Sequence, residues 1–292
     1  MSVYESALER GYNAFSRSHP DMLDCSKSDF TGIQFSESAG EPLFRVYYKY
    51  NHNTNERPDF LEPFHLRNMI RMTEKIADSI EGNVIQYEVG LKNRTLHNMR
   101  WAYHWLEEHM PWIGSHYKEI CRMKQIKVSD VGDYGLAALF FLGIGMKADT
   151  SDICSLKLYY LTRKCPDPER IEYEYRADNE AYLLQIRKMR IPKLEIIASF
   201  LEEALDRVSY EMWMTGADYH KSGKAKYKIY IKMNGLPGYR ALINGFEKNG
   251  CSNLSRQLGE YLEWITKHLE LKLYGVAVCL TDADEWSVNF YH

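Results

Sequence analysis

Lys226-Tyr227-Lys228-Ile229-Tyr230-Ile231-Lys232 reads as a β-strand with two unlike faces. Successive strand side chains alternate between faces, so Lys226, Lys228, Tyr230 and Lys232 share one while Tyr227, Ile229 and Ile231 form the other. The second face is apolar and can be buried. The first carries three ammonium groups and a phenol, which a core accepts only against an anionic partner. Taken alone, such a strand is most simply half exposed to water. Similar strands recur along the chain.

Working outward, this strand pairs with 208–214 through the turn Lys221-Ser222-Gly223-Lys224, and helical patterns follow at about 238–246 and 254–269. A last hairpin comprises 271–280 and 286–292 around Thr281-Asp282-Ala283-Asp284. Upstream, 136–146 and 155–162 form a hairpin, followed by helices at about 178–188 and 192–204, the second with Pro192 at its start, where a missing N–H does least harm. The first hairpin is 32–36 with 43–50, joined by a Gly and Pro turn. A helical stretch is expected over 63–80 from Met69, Ile70, Met72, Ile76 and Ile80. The strand 84–92 follows, with 99–105 as its partner or as the start of a helix. Residues 1–24 read as a short helix and a polar connection, and 117–123 as helical.

The recurring unit is a β-hairpin followed by helical structure, five times over. Repetition of this kind implies a closed architecture. The expectation is an α/β fold: one domain over 1–292, with about ten antiparallel strands in a single closed barrel surrounded by helices. Roughly eight strands already enclose room for a small ligand.

The 292 residues are 45% hydrophobic, ample for a core, and the formal net charge of −3 argues against a nucleic-acid or acidic-membrane partner. Any polyanion is bound locally. Six cysteines are scattered without a Cys-x-x-Cys pair and read as reduced. No signal core or membrane-length apolar stretch appears, so a cytoplasmic location is expected; a monomer is expected as well.

With apolar strand faces turned to the helices, the opposite faces can be compared. They hold Arg45, Tyr47 and Lys49 on the second strand; Lys157 and Tyr159 on the sixth; Lys226, Lys228, Tyr230 and Lys232 on the eighth; Lys272 and Tyr274 on the ninth; and Ser287, Asn289 and Tyr291 on the tenth. On the ninth, Leu271, Leu273 and Ala277 are assigned to the helices. A cation two residues before a tyrosine thus recurs on four strands. Lysine and arginine give charge-assisted hydrogen bonds to phosphate oxygens, and tyrosine π faces stabilise and shield a carbocation. Ionisation of an allylic diphosphate creates both an anion and a cation, so it uses both groups. The constellation points to prenyl transfer.

At these residues the chain resembles the ABBA-fold prenyltransferases, in which five α-β-β-α repeats close a ten-strand barrel (PT barrel) around an isoprenoid diphosphate. The resembling residues are Arg45, Lys157-x-Tyr159, Lys226-x-Lys228-x-Tyr230 and Lys272-x-Tyr274. Gly143-Ile144-Gly145-Met146-Lys147, Ser155-Leu156-Lys157 and Val89-Gly90-Leu91-Lys92 are similar to stretches of the cyanobactin-type peptide prenyltransferases. The resemblance implies a diphosphate cradle of Arg45, Lys157, Lys226, Lys228 and Lys272 and a cation shield of Tyr47, Tyr159, Tyr230, Tyr274 and Tyr291. It implies transfer of a dimethylallyl or geranyl group to an aromatic or peptide acceptor, with no obligatory cofactor and with assistance by Mg2+ left open. Removing Lys157 and Lys228 together is expected to abolish diphosphate binding with the fold intact, since side chains lining a wet lumen contribute little to packing.

Family members that prenylate indoles or phenols carry a first-strand Glu to take the acceptor proton. This chain has Gln34-Phe35-Ser36 there, and an amide is no general base. Glu37 or Asp29 could fill the role, Glu88 on the third hairpin strand could serve, or the proton could leave without protein help. His104-Trp105-Leu106-Glu107-Glu108-His109 has one residue too many for a zinc-hydrolase motif, and Asp282-Ala283-Asp284-Glu285 reads as a solvated turn. No Walker loop or Gly-x-Ser-x-Gly elbow occurs. The rival reading is a non-catalytic barrel that binds a phosphorylated or sulfated small molecule.

Overall fold

The computed structural model describes residues 28–39, 42–49, 70–76, 84–90, 112, 134–147, 153–164, 179–267, 273 and 275–291. Side chains are described at 32–39, 42, 43, 112, 154–159, 179, 180, 182–267, 273 and 275–291. The strands are β1 (Ser28–Ser36), β2 (Leu43–Lys49), β3 (Ile70–Ile76), β4 (Val84–Gly90), β5 (Tyr134–Lys147), β6 (Ile153–Lys164), β7 (Tyr210–His220), β8 (Ala225–Met233), β9 (Gly275–Thr281) and β10 (Trp286–Tyr291). The described helices are α1 (Asn179–Met189) and α2 (Pro192–Ala204) after β6, and α3 (Leu236–Lys248) and α4 (Ser252–Ile265) after β8.

All pairings are antiparallel, in the order β1-β10-β9-β8-β7-β6-β5-β4-β3-β2, and β1 pairs with β10 on one side and β2 on the other. The sheet is curled, and the described helices cover its outer face. The reason lies in alternation. Leu156 and Leu158 of β6, Tyr227, Ile229 and Ile231 of β8, Val276, Val278 and Leu280 of β9, Val288 and Phe290 of β10, and Ile33 and Phe35 of β1 are at most 2% exposed and share one core with the helices. The helices answer with stripes at helical spacing: Leu194, Ile197, Ala198 and Leu201 on α2, and Leu254, Leu258, Tyr261, Leu262 and Ile265 on α4. Phe35, Tyr261 and Phe290 fix the seam between β1, β10 and α4, with ring centroids 5.1–6.1 Å apart.

Three expectations need correction or limits. Residues 70–76 form β3, not helix, and β3 rather than 99–105 is the partner of β4. Ile70, Met72 and Ile76 fit a two-residue period as well as a helical one, and pairing on both sides favours the strand. The second correction concerns β9. Ala277 lies on the inner face with Cys279, while Val276, Val278 and Leu280 face the helices, and Leu273 packs against that same outer core as expected. Residues 1–24, 99–105, 117–123, Lys272 and Tyr274 lie outside the described residues.

Asp282-Ala283-Asp284-Glu285 is a structural turn. Asp282 accepts from the Ala225 backbone N–H, Asp284 pairs with Lys193, and Glu285 accepts from Ser38. No described helix is long and apolar enough to cross a membrane. Cys154, Cys251 and Cys279 are free thiols.

Candidate active site

On the inner face of β6, Lys157 is 3% exposed, and on β8 Lys228 is 1% exposed. Long ammonium side chains reach such burial only when compensated. The compensation comes from the strand between them: Asp218 of β7, itself 3% exposed. Its Oδ2 lies 2.6 Å from Lys228 Nζ and 3.8 Å from Lys157 Nζ. Two cations converge on a single carboxylate oxygen, leaving one formal positive charge in excess. The register sets Asp218 opposite both Lys157 and Lys226.

Beside this charged triad sits an aromatic group. Tyr230 packs edge-on to Tyr159 (6.0 Å) and Trp213 (5.6 Å) and stacks on Tyr291 (5.9 Å, 26°). Met214, Ala277 and Cys279 complete the cluster. Burial first, and then Tyr291, Tyr159, Asp218 and Cys279, push the Tyr230 phenol well above the usual tyrosine range, so it stays neutral. Lys228 Nζ stands 5.7 Å from the centre of the Tyr159 ring, and Lys232 Nζ 5.5 Å from that of Trp213. Both are within cation–π range.

Gly216 makes the junction of charge and ring geometrically feasible. It is the cross-strand partner of both Tyr159 and Lys228. A Cβ there would stand 3.0 Å and 3.3 Å from two ring carbons of Tyr159. The ring therefore lies against bare backbone. Gly216→Ala is expected to shift that ring by a few tenths of an ångström, reducing turnover about tenfold while costing only about 1 kcal/mol of stability. Parallel rate and thermal-unfolding measurements check the split.

β10 and β1 form the other wall. Asn289, 1% exposed, donates to Tyr291 Oη (3.4 Å) and weakly to Cys279 Sγ (3.9 Å), whereas its Oδ1 has no hydrogen-bond partner. Ser287 Oγ and Trp213 Nε1 are likewise buried without partners. Gln34 is the cross-strand neighbour of Asn289 and shares the inner face. Among the described residues no group of three or more His, Cys, Asp or Glu side chains is arranged to hold a metal ion.

The structure thus brings together Lys157, Lys228, Tyr159, Tyr230 and Tyr291, with Lys226 and Gln34 at neighbouring positions of the same face. Arg45, Tyr47 and Glu88 are placed through their backbones: Arg45 opposes Gly32 of β1 and Lys75 of β3, Tyr47 opposes Thr73, and Glu88 opposes Gly143 and Arg71. By pairing, these positions lie in register with the inner face. Asp218, Trp213 and Met214 are site residues that the sequence reading does not reveal, whereas Asn289 lies on the inner face where alternation puts it.

Glu37 is removed from the candidate bases. Its carboxylate accepts from the backbone N–H groups of Asn253 (3.3 Å) and Leu254 (2.7 Å), capping the N-terminus of α4 outside the sheet. Glu37→Ala is expected to cost about 1 kcal/mol and leave turnover unchanged. Chemical denaturation alongside a rate assay tests this.

No family model matches the chain, and no curated protein matches it. Solved structures do. AnaPT from Neosartorya fischeri superimposes with a TM-score of 0.64 at 11% identity, covering 96% of this chain and 86% of that one. The NotF prenyltransferase gives a TM-score of 0.54 at 10% identity, covering 90% of this chain and 79% of its own. A second NotF structure, in complex with brevianamide F and DMSPP, gives 0.56 at 10% identity with the same coverage. At these identities the likeness shows the fold: this chain has the curled antiparallel sheet and outer helices of those proteins.

Proposed function

We propose that this protein is a prenyltransferase that moves an allylic isoprenoid from its diphosphate to an electron-rich aromatic acceptor. The observation that carries this reading is the convergence of buried Lys157 and Lys228 on Asp218, directly against the Tyr159–Tyr230–Tyr291 cluster. The shared fold with NotF, solved with DMSPP and brevianamide F, supports it.

In this reading the ten paired strands form a closed ABBA barrel whose lumen holds the donor, in one domain over 1–292. The C–O bond of the allylic diphosphate breaks heterolytically. Its electron pair leaves with the diphosphate, held by Lys157 and Lys228 and, by sequence, Arg45, Lys226 and Lys272. The allylic cation forms among the rings of Tyr159, Tyr230, Tyr291 and Trp213, extended by Tyr47 and Tyr274. Neutral rings suit this task, since their π faces attract the cation without quenching it. The acceptor attacks the cation and then sheds a proton.

Gln34 cannot take that proton, and Glu37 is engaged on α4. Glu88, in register with the inner face through Gly143 and Arg71, is the carboxylate assigned to take it; otherwise the proton leaves to the departing diphosphate or to water. The donor is assigned as dimethylallyl or geranyl diphosphate. The acceptor class extends to an aromatic side chain of a cyclic peptide, as the likeness to cyanobactin-type enzymes suggests. The protein is assigned as a cytoplasmic monomer, and no step is assigned to magnesium.

The test is incubation with dimethylallyl or geranyl diphosphate and a panel of indoles, phenols and cyclic peptides. Release of inorganic diphosphate with a product heavier by one prenyl unit is expected. Saturable donor binding without turnover across the panel would establish the binding barrel instead.

A further inference from the structure

A carboxylate is an unexpected occupant of a diphosphate cradle. Asp218 lies on β7 between the strands that carry Lys157 and Lys228 and opposite Lys226 in register, where any bound diphosphate would meet its negative charge. Without it, two buried ammonium groups would face each other in a site of low dielectric, an arrangement that is strongly unfavourable. With it, the site is compensated but carries a charge of the ligand's own sign.

We infer that Asp218 is the positioning residue that exchanges with diphosphate at each turnover. It holds the two lysines oriented in the empty site. By repelling the bound anion, it also lowers affinity so that product diphosphate can leave. No bond is made or broken by Asp218; the lysines pass from one anion to another. The inference rests on the diphosphate-site reading above.

The experiment measures binding of inorganic diphosphate to the full chain, wild type and Asp218→Asn, by calorimetry and stopped flow. Removing one negative charge a few ångströms from a polyanion is expected to tighten binding roughly ten- to a hundredfold, chiefly through slower release. A purely structural role predicts the reverse, because disordered lysines bind anions less well. Steady-state turnover of the variant is expected to fall while its single-turnover rate holds.

Should Asp218→Asn be recoverable only with diphosphate present, the ligand dependence of its melting temperature reads the affinity. That rescue supports the inference, since diphosphate then replaces the carboxylate. Failure to fold even with diphosphate overturns it, as does binding equal to or weaker than wild type. If the wild type itself binds neither inorganic diphosphate nor dimethylallyl diphosphate, the site reading falls together with this inference.

Discussion

Lys228→Met is expected to reduce prenyl transfer by about a hundred- to a thousandfold and to destabilise the protein by about 3 kcal/mol. The two effects have one source. Lys228 makes the short contact, 2.6 Å, with Asp218, so its loss removes a donor to the diphosphate and leaves the carboxylate with only the 3.8 Å contact to Lys157 among the two site lysines. Methionine keeps most of the aliphatic volume, so the loss reports charge rather than packing. Lys157→Met is expected to cost less stability because its contact is longer. Single-turnover assays with chemical denaturation of both variants check the ranking; equal stability loss would mean that the two lysines share Asp218 evenly. The expectation that Lys157 and Lys228 can be removed together with no effect on the fold is revised on the same ground. These side chains are buried against a carboxylate rather than bathed in solvent, so the double alanine variant takes both of these lysines away from a buried anion.

Tyr230→Ala carries the second large effect: about 3–5 kcal/mol of stability and a rate loss of about a hundredfold. Tyr230 is the ring that Tyr159, Trp213 and Tyr291 all touch, so its deletion opens a cavity at the centre of the proposed shield. Tyr230→Phe keeps the ring and is expected to retain activity within about tenfold. A large loss in the phenylalanine variant would shift the role from ring to hydroxyl. Because the folded-state phenol lies above its usual value, its contribution to stability is complete below about pH 10. It is lost as pH rises through the folded value, when the unfolded chain ionises first. No ionisation of Tyr230 is therefore expected to shape the rate profile near neutrality.

The faces of β6 from Ser155 onward, β8 and β10 were legible because each alternates without interruption there, so Lys157, Tyr159, Lys228, Tyr230 and Tyr291 fall where the two-residue period puts them. β7 was opaque. A register shift between Met212 and Met214 inserts one residue, turning both Trp213 and Met214 toward the inner cluster and bringing Asp218 inside. Strict alternation from the start of the strand misplaces Asp218, and Asp is itself a poor strand former. β9 failed for a related reason: its described span begins at Gly275, and a period carried down from Leu271 assigned Ala277 to the wrong face. β3 illustrates the ambiguity of a short apolar run, which only its neighbours resolved. Glu37 could not be excluded as a base from sequence, because its partners, Asn253 and Leu254, lie 216 and 217 residues away.

That separation bears on how the molecule forms. β1 and β10 come from opposite ends of the chain, and their pairing of Ile33 with Phe290 and Phe35 with Val288 is sealed by the Glu37 cap and the Phe35–Tyr261–Phe290 rings. Closing so long a loop costs entropy before any contact repays it, so hairpins such as β7–β8 form early and the β1–β10 seam forms last. Refolding is accordingly slow, and a state in which β10 is unpaired presents β1 and β9 as open edges. The pairing of β10 on both of its sides is thus what protects those two edges from aggregation.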